Sequence, residues 1–228
     1  MKILVIIPAY NEELNIERVV NNLILNYPQY DYVVVNDGSK DETASICRKN
    51  GWNLIDLPVN LGLAGAVQTG MKYAVKYGYD AALQYDGDGQ HRAEFIAKME
   101  DKMVQSNSEI IIGSRFLDEK KPLSLRMMGG RFLTAIIKCS TGQKITDPTS
   151  GMRLFRRDIL TEFTKDMNYG PEPDTISYLI KKGVKVSETQ VYMDERIAGE
   201  SYLNIIGSVR YMVLMFFSII FVQRFRKV

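Results

Sequence analysis

Two aspartates one residue apart, Asp86 and Asp88, head the segment Asp86-Gly87-Asp88-Gly89-Gln90-His91. Carboxylates at this spacing can offer oxygens to a single hard cation, and the glycines between them permit tight backbone turns. A magnesium or manganese ion held this way keeps part of its shell for water and for a diphosphate. Gln90 adds a neutral oxygen, so Asp86, Asp88 and Gln90 are the candidate metal ligands. His91, the single histidine of the chain, reads better as a packing or supporting residue than as a ligand. The plain alternative for the segment is an Asp-Gly turn joining a strand to a helix. A calcium EF-hand is excluded, because its longer ligand ladder and terminal glutamate are missing.

Three more polar segments accompany it: Pro8-Ala9-Tyr10-Asn11-Glu12, Asn36-Asp37-Gly38-Ser39 and Gly113-Ser114-Arg115. Each alone reads equally well as a turn or a helix cap. Their positions give them weight, since each follows an apolar run. Ile3–Ile7, Tyr32–Val35, Asn53–Leu57, Ala81–Tyr85 and Glu109–Gly113 read as strands. Between them lie four helical stretches: Glu12–Leu25, with Leu14, Val19 and Leu23 turned inward, Asp41–Lys49, Leu63–Tyr77 and Ala93–Gln105. This alternation predicts an α/β fold, a mostly parallel sheet with helices on both faces. Ligands of such sheets bind at the carboxyl ends of the strands, where all four polar segments fall.

After Arg115 the rhythm changes. Phe116–Ser124 reads as a polar loop, and Leu125–Cys139 as an apolar helix carrying Arg126, Arg131 and Lys138. Arg131 and Lys138, seven apart, share a face. They suit either a core helix with solvated cations or an interfacial helix receiving a lipid phosphate. Asp147–Phe155 turns into a short strand, Glu172–Lys182 is helical, and Val184–Met193 is a strand on the far side of the sheet. Tyr211–Val222 holds twelve uncharged residues. As a helix these reach ~18 Å, short of the ~30 Å of a bilayer core. A monotopic, interfacial C-terminal helix anchored by Arg224, Arg226 and Lys227 on anionic lipid is expected, with a buried helix at an oligomer interface as the alternative. The division expected is a domain over 1–202 and a membrane-associated segment over 203–228.

With 228 residues, 46% hydrophobic and 25% charged, the chain can bury a core without disulfides, and its net charge of +2 argues against nucleic acid as a partner. Cys47 and Cys139 show no motif spacing, which fits a reducing compartment. The opening Met1-Lys2-Ile3-Leu4-Val5-Ile6-Ile7-Pro8 is too short for a signal peptide, so the catalytic part is expected to face the cytoplasm. No G-x-G-x-x-G follows the first strand and no G-x-x-x-x-G-K-[ST] occurs, which disfavours dinucleotide dehydrogenases and P-loop enzymes.

Together with Asn60-Leu61-Gly62 and Asp147-Pro148-Thr149-Ser150-Gly151, the four segments occur in an order that resembles glycosyltransferase family 2. Within it the chain is similar to the dolichyl-phosphate mannose synthase-like, polyprenyl-phosphate hexosyltransferases, over about residues 3–202. The resemblance implies a GT-A type, Rossmann-like fold and an inverting, metal-dependent transfer of a hexose. The donor would be a nucleoside diphosphate sugar, uridine-linked by likeness to bacterial members, and the acceptor an undecaprenyl-type polyprenyl phosphate. Pro8, Ala9, Tyr10, Glu12 and Asp37 would cradle the nucleoside. Asp86, Asp88 and Gln90 would hold Mg2+ or Mn2+ and the diphosphate, and Arg115 would lie near phosphate. Glu195-Arg196-Ile197-Ala198-Gly199-Glu200-Ser201 is similar to the family's late loop, in which Arg196 and Ser201 would close over the diphosphate; Tyr202 stands where the family usually has lysine. Arg126, ahead of Arg131, matches an acceptor-phosphate contact.

A phosphate monoester is largely dianionic at neutral pH and needs no general base. The enzyme's work is then alignment and stabilisation of the leaving diphosphate. Asp147, counted with Asp86, Asp88 and Arg115 in the catalytic set, would be a base only for a hydroxyl acceptor. Otherwise it orients an arginine such as Arg153 or caps a turn through Pro148. A glycan or protein hydroxyl as acceptor, and a catalytically silent nucleotide-sugar sensor on the membrane, are the alternative readings. A homo-oligomer or a membrane-protein partner completes the expected associations.

Overall fold

A computed structural model describes residues 1–119, 125–165, 170, 172–195 and 205–224. In chain order the elements are β1 (Ile3–Ala9), α1 (Ile16–Asn26), β2 (Asp31–Asn36), α2 (Thr43–Lys49), β3 (Leu54–Asp56), α3 (Gly62–Lys76), β4 (Ala81–Gln84), α4 (Phe95–Ser106) and β5 (Ile110–Ser114). There follow α5 (Leu125–Thr141), β6 (Arg153–Arg156), α6 (Arg157–Lys165), α7 (Pro173–Lys181), β7 (Val186–Gln190) and α8 (Ile205–Ile220). The strands form one sheet in the order β3-β2-β1-β4-β6-β5-β7. All pair in parallel except β6, which runs antiparallel to both β4 and β5.

Every residue of β1 is buried, as expected of a central parallel strand covered on both faces. Leu4 and Ile6 point into a core shared with α3, α5, α6, α7 and α8. Ile3, Val5 and Ile7 point the other way, against α1 and α4. A Cβ on Gly70 would come within 2.3 Å of Ile6 Cγ2, so glycine lets α3 lie close on β1.

One feature differs from the sequence expectation, and two others lie beyond what it specified. The first helix starts at Ile16 rather than Glu12, because the Glu12 carbonyl accepts the Asn15 and Ile16 N–H groups and closes a turn there. Leu14 consequently falls outside the helix and is 70% exposed, while Ile16, Val19, Val20 and Leu23 form the inner face. Strand β6 is reversed within the parallel sheet. Helix α6 was not anticipated; it buries Ile159, Leu160 and Phe163.

The reversal of β6 positions the site. An antiparallel strand begins where its parallel neighbours end. The segment just before β6, Asp147–Met152, is thereby delivered to the rim where β4 runs into Asp86 and β5 into Arg115.

Helix α8 packs by one side against α5 and α7. Ile219 is buried, Phe216 stacks on Phe132 with ring centroids 5.8 Å apart, and Ser218 Oγ donates to Asp174 Oδ2 at 2.6 Å. The Tyr211 hydroxyl donates to Glu172 at the start of α7. Val213, Leu214, Phe217 and Phe221 remain about half exposed, as do Met128 and Phe132 on α5. Arg131 and Lys138 are exposed on α5. Among the described residues, no helix is long and apolar enough to cross a membrane.

Candidate active site

The two N-terminal loops of the rim are laced together. Asn11, in the left-handed region at φ 56°, donates its N–H to Ser39 Oγ at 3.0 Å and accepts the Lys40 N–H at 2.8 Å. The Glu12 N–H goes to Thr43 Oγ1 at 2.9 Å, and the Glu12 carboxylate accepts from Asn15 Nδ2 at 2.8 Å. Asp37 is buried; its N–H reaches the Ala9 carbonyl and its Oδ1 accepts the Leu61 N–H at 2.7 Å. Gly38 has φ +65°, and a Cβ there would lie 2.8 Å from the Asn60 nitrogen. The Asn36-Asp37-Gly38-Ser39 and Asn60-Leu61-Gly62 segments therefore touch, which their spacing in sequence does not reveal. Pro8 and Ala9 are buried beneath them, and Tyr10 is half-buried at the rim. Of these residues, Glu12 and Asp37 have carboxylates that brace the loops.

The acidic segment follows β4. The Asp86 side chain is about a quarter exposed, and Asp88 is 9% exposed. Asp88 Oδ1 accepts the Gln90 N–H at 3.0 Å, and Gln90 Nε2 donates to the Asp194 carbonyl at 3.2 Å. His91 is buried behind Asp86. Its Nδ1 accepts the Asp86 N–H at 2.9 Å, which leaves Nε2 as the protonated nitrogen, 3.8 Å from Asp86 Oδ2. Gln84 Nε2 donates to Asp86 Oδ1 at 3.1 Å. Among the described residues, no three His, Cys, Asp or Glu side chains group as a metal cage. Two carboxylates with water and a diphosphate suit magnesium or manganese, which dehydrate reluctantly and share their shell with phosphates.

The segment before β6 approaches this loop closely. A Cβ on Gly151 would lie 2.3 Å from Asp86 Oδ2 and 3.3 Å from His91 Cε1. Only glycine leaves the Asp86 carboxylate where it is. In Gly151→Ala the carboxylate must move, and Mn2+ affinity measured by isothermal titration is expected to fall about 10-fold. Unchanged affinity would show that Asp86 does not bind the ion from this position.

Asp147 is 1% exposed and grips Arg115 in a two-pronged pair, Nε to Oδ2 at 2.6 Å and Nη2 to Oδ1 at 2.9 Å. The arginine that Asp147 orients is thus Arg115 and not Arg153. Arg153 instead donates Nη2 to the Pro148 carbonyl at 2.7 Å. It is buried, its Nε and Nη1 have no hydrogen-bond partner among the described residues, and burial lowers its pKa while Glu172, Tyr211, Asp147 and Asp86 act against that lowering. Ser150 Oγ donates to the Gly113 carbonyl at 2.6 Å, fastening the same segment to β5.

Two residues that the sequence reading passed over complete the arrangement. Glu188 on β7 accepts the Thr146 and Asp147 N–H groups and the Thr146 hydroxyl at 2.8–3.0 Å. Burial pushes its carboxyl above the usual carboxylate range, against the pull of those donors. Gln190 Oε1 accepts the Leu117 and Asp118 N–H groups, and its Nε2 donates to the Arg115 carbonyl. The available signal was an acidic and an amide side chain two apart within a strand. Arg131 is exposed on α5; Arg196 and Ser201, with the Arg126 side chain, lie outside the described residues, as do the Arg224 side chain, Arg226 and Lys227.

The chain is 30% identical to UDP-N-acetylglucosamine--dolichyl-phosphate N-acetylglucosaminyltransferase of Methanococcus voltae, across 93% of this chain and 95% of that protein. It is 27% identical to undecaprenyl-phosphate mannosyltransferase of Micrococcus luteus, across 90% and 88%. Among solved structures it resembles glucosyl-3-phosphoglycerate synthase from Mycobacterium tuberculosis in complex with Mn2+, UDP-glucose and glycerol 3-phosphate. That likeness has a TM-score of 0.68 and 17% identity over 95% of this chain and 79% of that one, and it shows the shared GT-A fold. Residues 4–164 match Glycosyl transferase family 2, and the chain belongs to that family.

Proposed function

We propose that the protein transfers a hexose from a uridine diphosphate sugar to an undecaprenyl-type polyprenyl phosphate, with inversion at the anomeric carbon. The observation that carries the choice of acceptor is the engagement of Asp147. Buried and bound through both oxygens to Arg115, it is poorly placed to take a proton from a hydroxyl. A phosphate dianion needs no such base. The two named relatives act on dolichyl and undecaprenyl phosphate, which supports the same acceptor class.

In this reading Pro8, Ala9, Tyr10, Glu12 and Asp37 hold the nucleoside at the first two loops. Asp86, Asp88 and Gln90 hold Mg2+ or Mn2+, which when bound supplies positive charge to the leaving diphosphate. Arg115, fixed by Asp147, presents its guanidinium to phosphate oxygens in a set orientation. Arg131 and Arg126 on α5 receive the acceptor phosphate, and Arg196 and Ser201 close over the diphosphate. The acceptor oxygen attacks the anomeric carbon as the bond to the diphosphate breaks on the opposite face. Charge stabilisation and alignment by fixed groups lower the barrier.

The half-exposed apolar residues of α5 and α8 would sit in the headgroup region on the cytoplasmic face of the membrane, bringing the lipid phosphate to the rim. In this division, residues 1–202 carry the chemistry and 203–228 the attachment.

The test is transfer from radiolabelled UDP-glucose and UDP-N-acetylglucosamine to undecaprenyl phosphate in vesicles with Mn2+. Label is expected in the organic-extractable lipid and is expected to be abolished by EDTA. Label that instead reaches a glycan or peptide hydroxyl, uncompeted by lipid phosphate, rejects the acceptor. Donor binding without turnover on any acceptor rejects catalysis.

A further inference from the structure

One rung below the rim, Gln84, Arg153, Ile112 and Glu188 are successive cross-strand partners on β4, β6, β5 and β7. Residues paired in register project from the same face of a sheet. Three of these four are polar, an unusual content for a row beside a core that includes Ile6, Ile112 and Phe155. Each polar member ends on a residue of the site. Gln84 reaches Asp86, Arg153 holds the Pro148 carbonyl, and Glu188 holds Thr146 and Asp147.

Glu188 has the largest share. Its Oε1 takes three donors, the Thr146 N–H, the Thr146 hydroxyl and the Asp147 N–H. Its Oε2 takes the Thr146 N–H at 2.8 Å. Ser114 Oγ lies 2.6 Å from Thr146 Oγ1, so the end of β5 is tied to the same point. Asp147 is then left with its carboxylate aimed at Arg115, and its Oδ2 accepts the Arg115 N–H as well as Nε. The chain of support runs from β7 to the guanidinium without a gap.

We infer that Glu188 is a positioning residue that sets the Arg115–Asp147 pair, and through it the anionic group that Arg115 meets in the proposed transfer, on which this inference rests. A glutamine at 188 could keep the three contacts of Oε1, but its Nε2 would face the Thr146 N–H, donor against donor. The 146–147 backbone must then shift, and the arginine with it. Displacements of about 1 Å at a reacting site cost on the order of 100-fold in rate.

The experiment uses the full chain with the lipid-phosphate assay above. Glu188→Gln is expected to lower kcat about 10- to 100-fold while Mn2+ affinity stays within about 2-fold. In an Arg115→Ala background the same change is expected to cost less than about 3-fold, because residues acting as one unit are not additive. Equal losses in both backgrounds, or no loss with Arg115 present, overturn the inference, since a merely structural glutamate would act regardless of Arg115. Should Glu188→Gln fail to fold, Thr146→Val, which deletes the hydroxyl shared by Glu188 and Ser114, carries the same cycle with the same expected non-additivity. An inactive wild type rejects the proposed reaction and this inference with it. An active wild type matched by Glu188→Gln rejects the inference alone.

Discussion

Asp88→Asn leaves a folded protein whose sugar transfer is slower by about 1,000-fold or more, roughly 4 kcal/mol of transition-state stabilisation. The fold should survive because Asp88 Oδ1 accepts the Gln90 N–H, a contact that an amide oxygen can also make. Asparagine retains that oxygen, the size of the side chain and the turn it stabilises. What it loses is the negative charge that a hard divalent ion requires of its ligands. Asp88 is 9% exposed, so water does not readily replace the missing charge. The check is turnover at saturating Mn2+ alongside circular dichroism and thermal unfolding. Retained metal-dependent turnover in a well-folded Asp88→Asn would falsify the metal assignment, since Asp86 and Gln90 alone would then suffice.

The strands and the rim loops were legible because their signals are local. A run such as Ile3–Ile7 is apolar throughout since β1 is covered on both faces, and the strand carries on through Pro8 to Ala9, paired with Val35 and Asn36. The same logic placed Asp37, Asp86 and Arg115 at strand ends. What stayed hidden depends on contacts between distant segments. The reversal of β6 is set by how Asp147–Met152 returns to the sheet, and nothing in Arg153–Arg156 encodes a direction. Asp147 lies six residues from Arg153 and 32 from Arg115, so proximity in sequence favoured the wrong partner. Gly151 reads as a turn glycine until Asp86 is found against it. Leu14 has the spacing of a helix face, but the turn closed by the Glu12 carbonyl puts it in solvent. Local pattern thus gives elements and candidate stations, whereas the pairing of side chains across the rim requires the folded sheet.

Arg115 offers the second large effect, and its companions separate rate from stability. In Arg115→Ala, kcat is expected to fall about 100-fold or more, the cost of removing a preorganised donor to developing negative charge. Arg115→Lys is expected to lie within a few-fold of the alanine variant, because a lysine cannot span both Asp147 oxygens and also face phosphate. The alanine variant also takes the guanidinium away from the Asp147 carboxylate, which is 1% exposed. Breaking a buried pair from one side typically costs about 3–5 kcal/mol, and the partial exposure of Arg115 places this case at or below the lower end. The double variant Arg115→Ala/Asp147→Asn removes the buried negative charge that has lost its guanidinium. Its unfolding midpoint in urea is therefore expected to recover most of the loss while its turnover remains as low as that of Arg115→Ala. Asp147→Asn alone keeps a hydrogen-bonding oxygen for Arg115 but loses the charge that orients it, so an intermediate loss of about 10-fold is expected. Recovery of turnover along with stability in the double variant would assign Arg115 to folding only. Low turnover in a restabilised protein assigns it to the departing or incoming phosphate, which is where a guanidinium held from behind by a carboxylate has its greatest effect.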